Sequence, residues 1–425
     1  MKFLHAADIH LDSALEGLAQ YEVAPVDLIR GATRRALENL VQFALSEKVD
    51  FVVIAGDLYN GDWKDFNTGM FFVRQMNKLR EAGIRLYLIA GNHDAANTMT
   101  RRLRLPLNPD GESVMLSHEQ PETRRLDDLG VAIHGRSFAN QAEKQNMVPD
   151  YPTPIPHWFN IGLLHTSLNG SEEHDTYAPC SPTDLRSKGY DYWALGHIHK
   201  RSVITDSASL DLSRSGLYSG NIQGRHIREP GPRGCFLVTR NRQSQLKIDF
   251  RPLDVFRWEF CEISCAGFAK TTEILEHLEA ELLSLCRTNE DRPLGVRVKL
   301  TGATAAHRDL TSHRSAVIAE VRNLAAKISN EQIWIEQVKI HTSEPVRQTG
   351  LSRIDGPLGE LEQYLEELSR DPAAISPLIE ELKDLARKLP GEILQPPDGL
   401  LLDNPAWVQE ILQEVKPLLM DRLTG

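Results

Sequence analysis

The sequence predicts an α/β protein: a layered α/β core, then a small α+β unit, then a helical C-terminal tail. Three changes in patterning carry that reading. Apolar runs at residues 3–7, 51–55, 86–90 and 161–164 have the length of buried strands, and helix-like spacing over 27–47 and 65–82 alternates with the first three of them. Beyond Asp254 the order becomes strand-like 256–264, a helix over 269–285, strand-like 295–301, a helix over 313–328 and strand-like 332–341. From about Gly356 three amphipathic stretches, 358–369, 375–389 and 405–423, are separated by Pro372, Pro390-Gly391 and Pro396-Pro397. These shifts divide the chain at 1–253, 254–345 and 346–425.

Within the first region, residues 149–156 (PDYPTPIP) read as an extended connector, and 240–245 as a hairpin turn between strand-like 234–239 and 246–250. A length of 425 residues exceeds what one hydrophobic core usually serves, in keeping with more than one domain. Five cysteines, at 180, 235, 261, 265 and 286, form no Cys-x-x-Cys pair and are odd in number. Reduced thiols are therefore expected, with Cys261 and Cys265 sharing one face of a strand for packing. No run of about 18 apolar residues occurs, so the expectation is a soluble, cytoplasmic protein with no membrane partner.

The chemistry is concentrated in five short blocks: Asp8-Ile9-His10, Gly56-Asp57, Gly91-Asn92-His93-Asp94, His165, and Gly196-His197-Ile198-His199. The first four stand directly behind apolar runs, so their polar side chains gather at strand exits, where loops are free to carry function on a fixed scaffold. Each block alone is also an ordinary turn or surface pair, and it is the five in order that point to a site. The set mixes carboxylate, imidazole and one amide oxygen with no thiolate, which suits two divalent cations and favours Mn over structural Zn. Two ions roughly 3.5–4 Å apart bind a phosphate diester, activate water at neutral pH and stabilise the attacking and leaving oxygens. Asp57 is the candidate bridge between them.

At these residues the chain resembles the calcineurin-like metallophosphoesterase superfamily, whose blocks D-x-H, G-D, G-N-H-[DE], H and G-H-x-H occur here in order. Residues 3–18 (FLHAADIHLDSALEGL), 54–62 (IAGDLYNGD) and 217–227 (LYSGNIQGRHI) are more narrowly similar to YhaO-type DNA repair exonucleases, relatives of the nuclease subunit of SbcCD. The resemblance spans about residues 1–345 and implies a β-sandwich core flanked by helices, with 254–345 as a capping domain beside the cleft. It further implies that Asp8, His10, Asp57 and His199 hold one metal and that Asp57, Asn92, His165 and His197 hold the other. His93 stays outside the cage as general acid or transition-state stabiliser, a task suited to imidazole near neutral pH. One departure is Asn60, where relatives carry Asp or His near the catalytic histidine; Asp62 and Asp94 are the candidates to replace that charge.

The other ten histidines, His5, His134, His174 and His226 among them, get no catalytic role, although Arg225 beside His226 could pair with a phosphate. Residues 356–425 hold 14 Asp/Glu against 6 Lys/Arg, so −8 of the chain's net −11 lies there. An acidic tail does not favour the phosphate backbone, and the resemblance implies instead that Leu361, Leu365 and Leu368 dock on the coiled coil of an SMC-like ATPase. Packing of these helices on their own domain is the competing reading. DNA contact then falls to Lys64, Arg101, Arg102, Arg104, Arg201, Arg225 and Arg228. The expected function is a Mn-dependent DNA exonuclease in repair. A small-molecule (cyclic nucleotide) phosphodiesterase and a non-catalytic scaffold for the ATPase stay open, as does pairing into a homodimer.

Overall fold

A computed structural model describes residues 1–13, 15, 31–60, 66–95, 105–168, 177–204, 215–290, 292–329, 332–345, 356–370, 374–389 and 400–424. By the density of its contacts the chain separates into two compact units. One consists of Met1–Phe260, Leu283–Arg297 and Ala325–Gln337, the other of Cys261–Leu282, Val298–Leu324 and Val338–Gly425.

The first unit contains two sheets. Strands β1 (Lys2–Ala6), β2 (Phe51–Ile54) and β3 (Arg85–Leu88) are joined by β10 (Gly234–Arg240) and β11 (Leu246–Pro252) in the order β11-β10-β1-β2-β3. Strands β4 (Glu122–Leu126), β5 (Val131–Gly135), β6 (Phe159–His165), β7 (Tyr192–Gly196), β8 (Ser202–Ile204) and β9 (Ser215–Tyr218) form the second sheet in the order β4-β5-β6-β7-β9-β8. The inner strands β1, β2 and β3 run parallel to one another, as do β5, β6, β7 and β9.

Alternation explains the layering. Phe3, Phe51, Val53 and Tyr87 of the first sheet share one buried cluster with Ile133, Ile161, Leu163, Tyr192 and Ala194 of the second, so the sheets stack face to face. Leu4, Ala6, Val52, Ile54, Leu86 and Leu88 point the other way. They meet a helical stripe of Ala36, Leu37, Leu40, Val41 and Ala44 on α1 (Ala32–Glu47) and Phe72, Met76 and Leu79 on α2 (Phe66–Glu81). On the far side of the second sheet, Leu164, Trp193 and Leu195 are covered by Tyr151, Tyr190 and Leu185, the last from the short α4 (Pro182–Lys188); α3 (Asn92–Ala95) precedes it in the chain. This is the helix-flanked β-sandwich that the resemblance implies. Because the inner strands are buried on both faces, they read as unbroken apolar runs. The helices predicted over 27–47 and 65–82 are present as α1 and α2, with Gly31 and Ala82 in turns at their ends; 27–30 and Asp65 lie outside the described residues. The hairpin turn falls as expected, with Asn241 N–H bonded to Gln245 O at 3.0 Å.

Strands β12 (Arg257–Ser264), β13 (Leu294–Ala303) and β14 (Ile333–Ser343) form a three-stranded sheet. Helices α5 (Thr271–Thr288), α6 (His307–Ser312) and α7 (Arg314–Ser329) lie between them in the chain, in the order the sequence suggests apart from the added α6. All five cysteines are buried, and none forms a disulfide. In the second unit α8 (Pro357–Arg370), α9 (Ser376–Ala386) and α10 (Pro405–Thr424) enclose a small core of Leu368, Ile375, Ile379 and Val408. Leu365 and Leu368, expected to face a partner, are thus turned inward, whereas Tyr364, Leu385 and Val415 are exposed. Pro372, Pro390-Gly391 and Pro396-Pro397 lie outside the described residues.

His5 illustrates how the sandwich uses a polar residue for structure. Its Nδ1 accepts from the Tyr192 hydroxyl at 2.9 Å and its Nε2 donates to the Leu195 carbonyl at 3.3 Å, so the ring is neutral and satisfied between the sheets. Burial lowers its pKa from 6.5 to about 3. The unfolded chain therefore takes a proton on this residue as pH falls below 6.5 while the folded chain does not, and His5 costs stability progressively down to about pH 3. On urea unfolding, the wild-type protein should lose about 2 kcal/mol more than His5→Phe between pH 7 and pH 5, at 1.36 kcal/mol per pKa unit. An identical acid sensitivity in the two proteins would remove His5 as the cause.

Candidate metal centre

The ligand blocks stand at the exits of β1, β2, β3, β6 and β7, three from one sheet and two from the other. The fifth block also follows a strand, which its lead Tyr192-Trp193-Ala194-Leu195 announces and which the sequence reading did not use. The β1/β2 ladder continues past both strands: Asp8 N–H bonds Gly56 O at 3.0 Å and His10 N–H bonds Asp57 O at 3.0 Å, setting these residues side by side. Two bonds then cross between the sheets. The Asp8 carboxylate accepts the His197 N–H at 3.0 Å, and His165 Nδ1 lies 2.9 Å from the Ala55 carbonyl.

The backbone at these exits is strained in a consistent way. Asp8, His10, Asp57 and His197 have φ of 50, 43, 51 and 99°, a left-handed region that costs non-glycine residues of order 1–3 kcal/mol each. Glycine is required beside them by space as well as by φ. A Cβ on Gly56, itself at φ 95°, would stand 2.5 Å from His165 Nδ1, and one on Gly91 would strike the Asp57 carboxylate and come within 2.7 Å of His165 Cε1. A Cβ on Gly196 would collide with the Ala55 carbonyl oxygen. The three glycines of the motifs let the ligand-bearing loops close on one another.

The donor atoms converge closely. The Ala55 carbonyl can only accept, so His165 carries its proton on Nδ1 and turns a lone pair on Nε2 toward Asn92 Oδ1 at 2.9 Å and Asp57 Oδ2 at 3.5 Å. His10 Nε2 faces His199 Nε2 at 3.1 Å and Asp57 Oδ2 at 3.8 Å, while His10 Nδ1 is buried with no hydrogen-bond partner among the described residues. Asp8, His10 and His199, likewise Asp8, Asp57 and His165, and also His10, Asp57 and His93, bring one donor atom each within 4.8 Å of one another, so His93, expected outside the cage, also lies within reach of a cation. Lone pairs facing lone pairs in a buried space are what a cation resolves.

Titration leads to the same conclusion. Burial, then Asp57, pushes the Asp8 carboxyl well up; burial also raises Asp57 to about 6, against the pull of His93. Burial holds His10 well below its usual value and His165 at about 4. Neutral imidazoles are ready ligands, and a divalent charge would favour the ionised carboxylates that burial alone disfavours. On these grounds the donors of Asp8, His10, Asp57, His165 and His199 suit divalent cations. His197 is buried, with its ring 5.2 Å from that of His165 and 5.5 Å from that of Tyr177.

His93 is half-buried at the centre's edge, its ring 5.0 Å from that of His10 and its N–H bonded to Asp57 Oδ1 at 3.0 Å. Asn60 is partly buried, and Asp62 lies outside the described residues. Asp94 is already committed: its carboxylate accepts the N–H groups of Leu58, Tyr59 and Gly91 at 3.0, 3.0 and 3.1 Å, clamping two ligand loops together.

One residue escaped the sequence reading. Glu229 accepts from His199 Nδ1 at 2.6 Å, fixing that ring. Burial alone would raise its pKa, but Arg225 and His199 hold it well below the carboxylate range. The cue was available in the turn-rich 224–231, where an acid follows Arg225-His226. Of the proposed DNA contacts, Arg225 pairs with Glu229 at 3.1 Å and Arg201 stacks over Phe250 at 4.0 Å. Lys64, Arg101, Arg102, Arg104 and His174 lie outside the described residues.

Residues 1–201 match the family described as calcineurin-like phosphoesterase, and residues 258–343 match the middle domain of metallophosphoesterase YhaO. The uncharacterized metallophosphoesterase YhaO of Bacillus subtilis (strain 168) is 30% identical over 383 residues, which cover 88% of this chain and 91% of that protein. The DNA double-strand break repair protein Mre11 of Methanopyrus kandleri is 26% identical over 279 residues, 59% of this chain and 56% of its own. Its counterpart from Methanocaldococcus jannaschii is 23% identical over 295 residues, 66% and 73% of the two chains. With that relationship extending over most of its length and the ligand blocks gathered on one rim, the chain belongs to the calcineurin-like metallophosphoesterases, metal-dependent hydrolases of phosphate esters.

Proposed function

We propose that the protein is a two-metal-dependent DNA phosphodiesterase, a Mn-dependent exonuclease of DNA repair. The observation that carries the chemistry is the convergence of carboxylate, imidazole and amide donors from both sheets with His93 at their edge. DNA as the substrate is supported by the similarity to Mre11 proteins, and Mn by a donor set of oxygens and imidazoles without thiolate. Asp8, His10, Asp57 and His199 would hold one ion, and Asp57, Asn92, His165 and His197 the other. When bound, the pair supplies Lewis-acid stabilisation of the charge that develops as the diester is displaced.

The residues of the chain do the remaining work. His165 and His199 are fixed in the tautomer that presents Nε2, by Ala55 and Glu229 respectively. His93, tethered through its N–H to Asp57, donates a proton to the departing sugar oxygen. The protein acts in the cytoplasm, and no helix among the described residues is long and apolar enough to cross a membrane. Its ATPase partner is SMC-like and docks on the C-terminal helices, through the exposed Tyr364, Leu385 and Val415 rather than the inward-facing Leu365 and Leu368.

The purified chain with Mn should shorten end-labelled linear DNA, and neither a metal-free reaction nor Asp57→Ala should. Cleavage of an activated phosphodiester without DNA shortening would move the substrate to a small diester. Replacing His93 by Ala should slow hydrolysis about 10²–10⁴-fold while metal content by elemental analysis stays at the wild-type level; unchanged turnover would remove His93 from its role. Gly91→Ala, which drives a methyl into the Asp57 carboxylate, should abolish stoichiometric Mn binding in equilibrium dialysis. Normal binding by that variant would mean the loops are looser than the packing indicates.

A further inference from the structure

Behind the ligands, the loop that follows β9 forms a second layer built on one buried anion. Glu229 is only 4% exposed, and its carboxylate takes four donors. Oε1 accepts from His199 Nδ1 at 2.6 Å and Arg225 Nη2 at 3.1 Å; Oε2 accepts from Asn221 Nδ2 at 2.8 Å and the Arg225 N–H at 2.7 Å. An ionised carboxylate offers about four such positions, so all are filled, and an amide here would set a donor against donors. The loop is held from behind by Trp258 Nε1 on Gly224 O at 3.1 Å and by Gln223 Nε2 on Phe256 O at 2.6 Å.

Two consequences follow from this single carboxylate. The ionised carboxylate 2.6 Å away sets the His199 proton on Nδ1, with Arg225 Nη2 a further neighbour of that nitrogen at 3.0 Å, and this leaves the Nε2 lone pair directed at His10. Arg225 is gripped by both its backbone and its guanidinium, close enough for its charge to act on Asp8, His10 and Asp57. Its Nη2, beside both Glu229 Oε1 and His199 Nδ1, places the guanidinium at the edge of the centre, and its Nε is buried with no hydrogen-bond partner among the described residues. We infer that Glu229 is a positioning residue whose one carboxylate sets His199 as a metal ligand and Arg225 as the cation that receives the substrate phosphate. This rests on the metal-centre reading above and adds to it a link between metal occupancy and phosphate binding.

Calorimetric titration of the full chain with Mn alone tests both levels. The wild type should bind two ions; if it binds none, the metal reading fails before any variant is made, and this inference falls with it. Glu229→Gln should weaken one of the two ions by about 10–100-fold and leave the other near its wild-type affinity. Arg225→Ala should keep both ions but weaken inorganic phosphate on the Mn-loaded protein about tenfold. Equal loss of both ions in Glu229→Gln, together with a fall in the melting temperature of the metal-free protein, would assign Glu229 a merely structural role. Wild-type Mn binding by Glu229→Gln would overturn the inference outright. Should that variant not fold, nitrogen NMR of histidine-labelled wild type decides: His199 protonated on Nδ1 supports the assignment, and protonation on Nε2 overturns it.

Discussion

The carbonyl oxygen of Ala55, at the exit of β2, takes the Nδ1–H of His165 across the gap between the sheets at 2.9 Å, and it leaves no room for a side chain on Gly196. Together with the bond from His197 N–H to Asp8, this contact brings the ends of five strands onto one rim. The rest of the site depends on it. If the sheets stood a methyl group further apart, the carboxylates from one and the imidazoles from the other would no longer share a cation-sized space. A β-sandwich holds such a distance well, because its interior of Phe3, Phe51, Ile161 and Tyr192 is close-packed and resists compression and expansion alike.

That same closeness creates an electrostatic problem. Two carboxylates and several imidazoles are buried within a few ångströms, and burial drives the acids toward their neutral form and the imidazoles away from their charged one. The four left-handed ligand residues add backbone strain on top of this. Neither cost serves the folded state by itself. Both make sense for a site whose donors are pre-positioned for divalent charge, because little reorganisation is then needed when that charge arrives. Asp94 and Glu229 show the same economy one layer out, each spending a buried carboxylate on holding neighbours in place, the first through backbone N–H groups and the second through a ligand ring and an arginine.

The C-terminal helices follow a different logic. Their net negative charge sets them apart from a phosphate-binding surface, yet their apolar stripe is largely used up among themselves, with Leu368 against Ile375, Ile379 and Val408. Among the described side chains of these helices, Tyr364, Leu385, Val415 and Leu423 are the large apolar ones left exposed. Amphipathic spacing records that a face is buried; it does not record whether the burying surface belongs to the same chain.

Local chemistry determined a large part of this protein. Runs such as Phe51-Val52-Val53-Ile54 can hardly be other than buried strands, and Gly-Asp or Gly-Asn-His-Asp directly behind them set ligand-type side chains at strand exits. The order of the blocks therefore pointed to a candidate donor set, and the apolar runs to the layered α/β character. Only the tertiary structure decided which residues meet: that β7 delivers the fifth block from the second sheet, that the motif glycines are small because ligands of other loops occupy their Cβ space, and that Asp94 clamps backbone instead of serving His93. Glu229 was hidden for the same reason. It is 30 residues from His199 along the chain, and a hydrogen bond across that separation leaves no periodicity, spacing or composition to read.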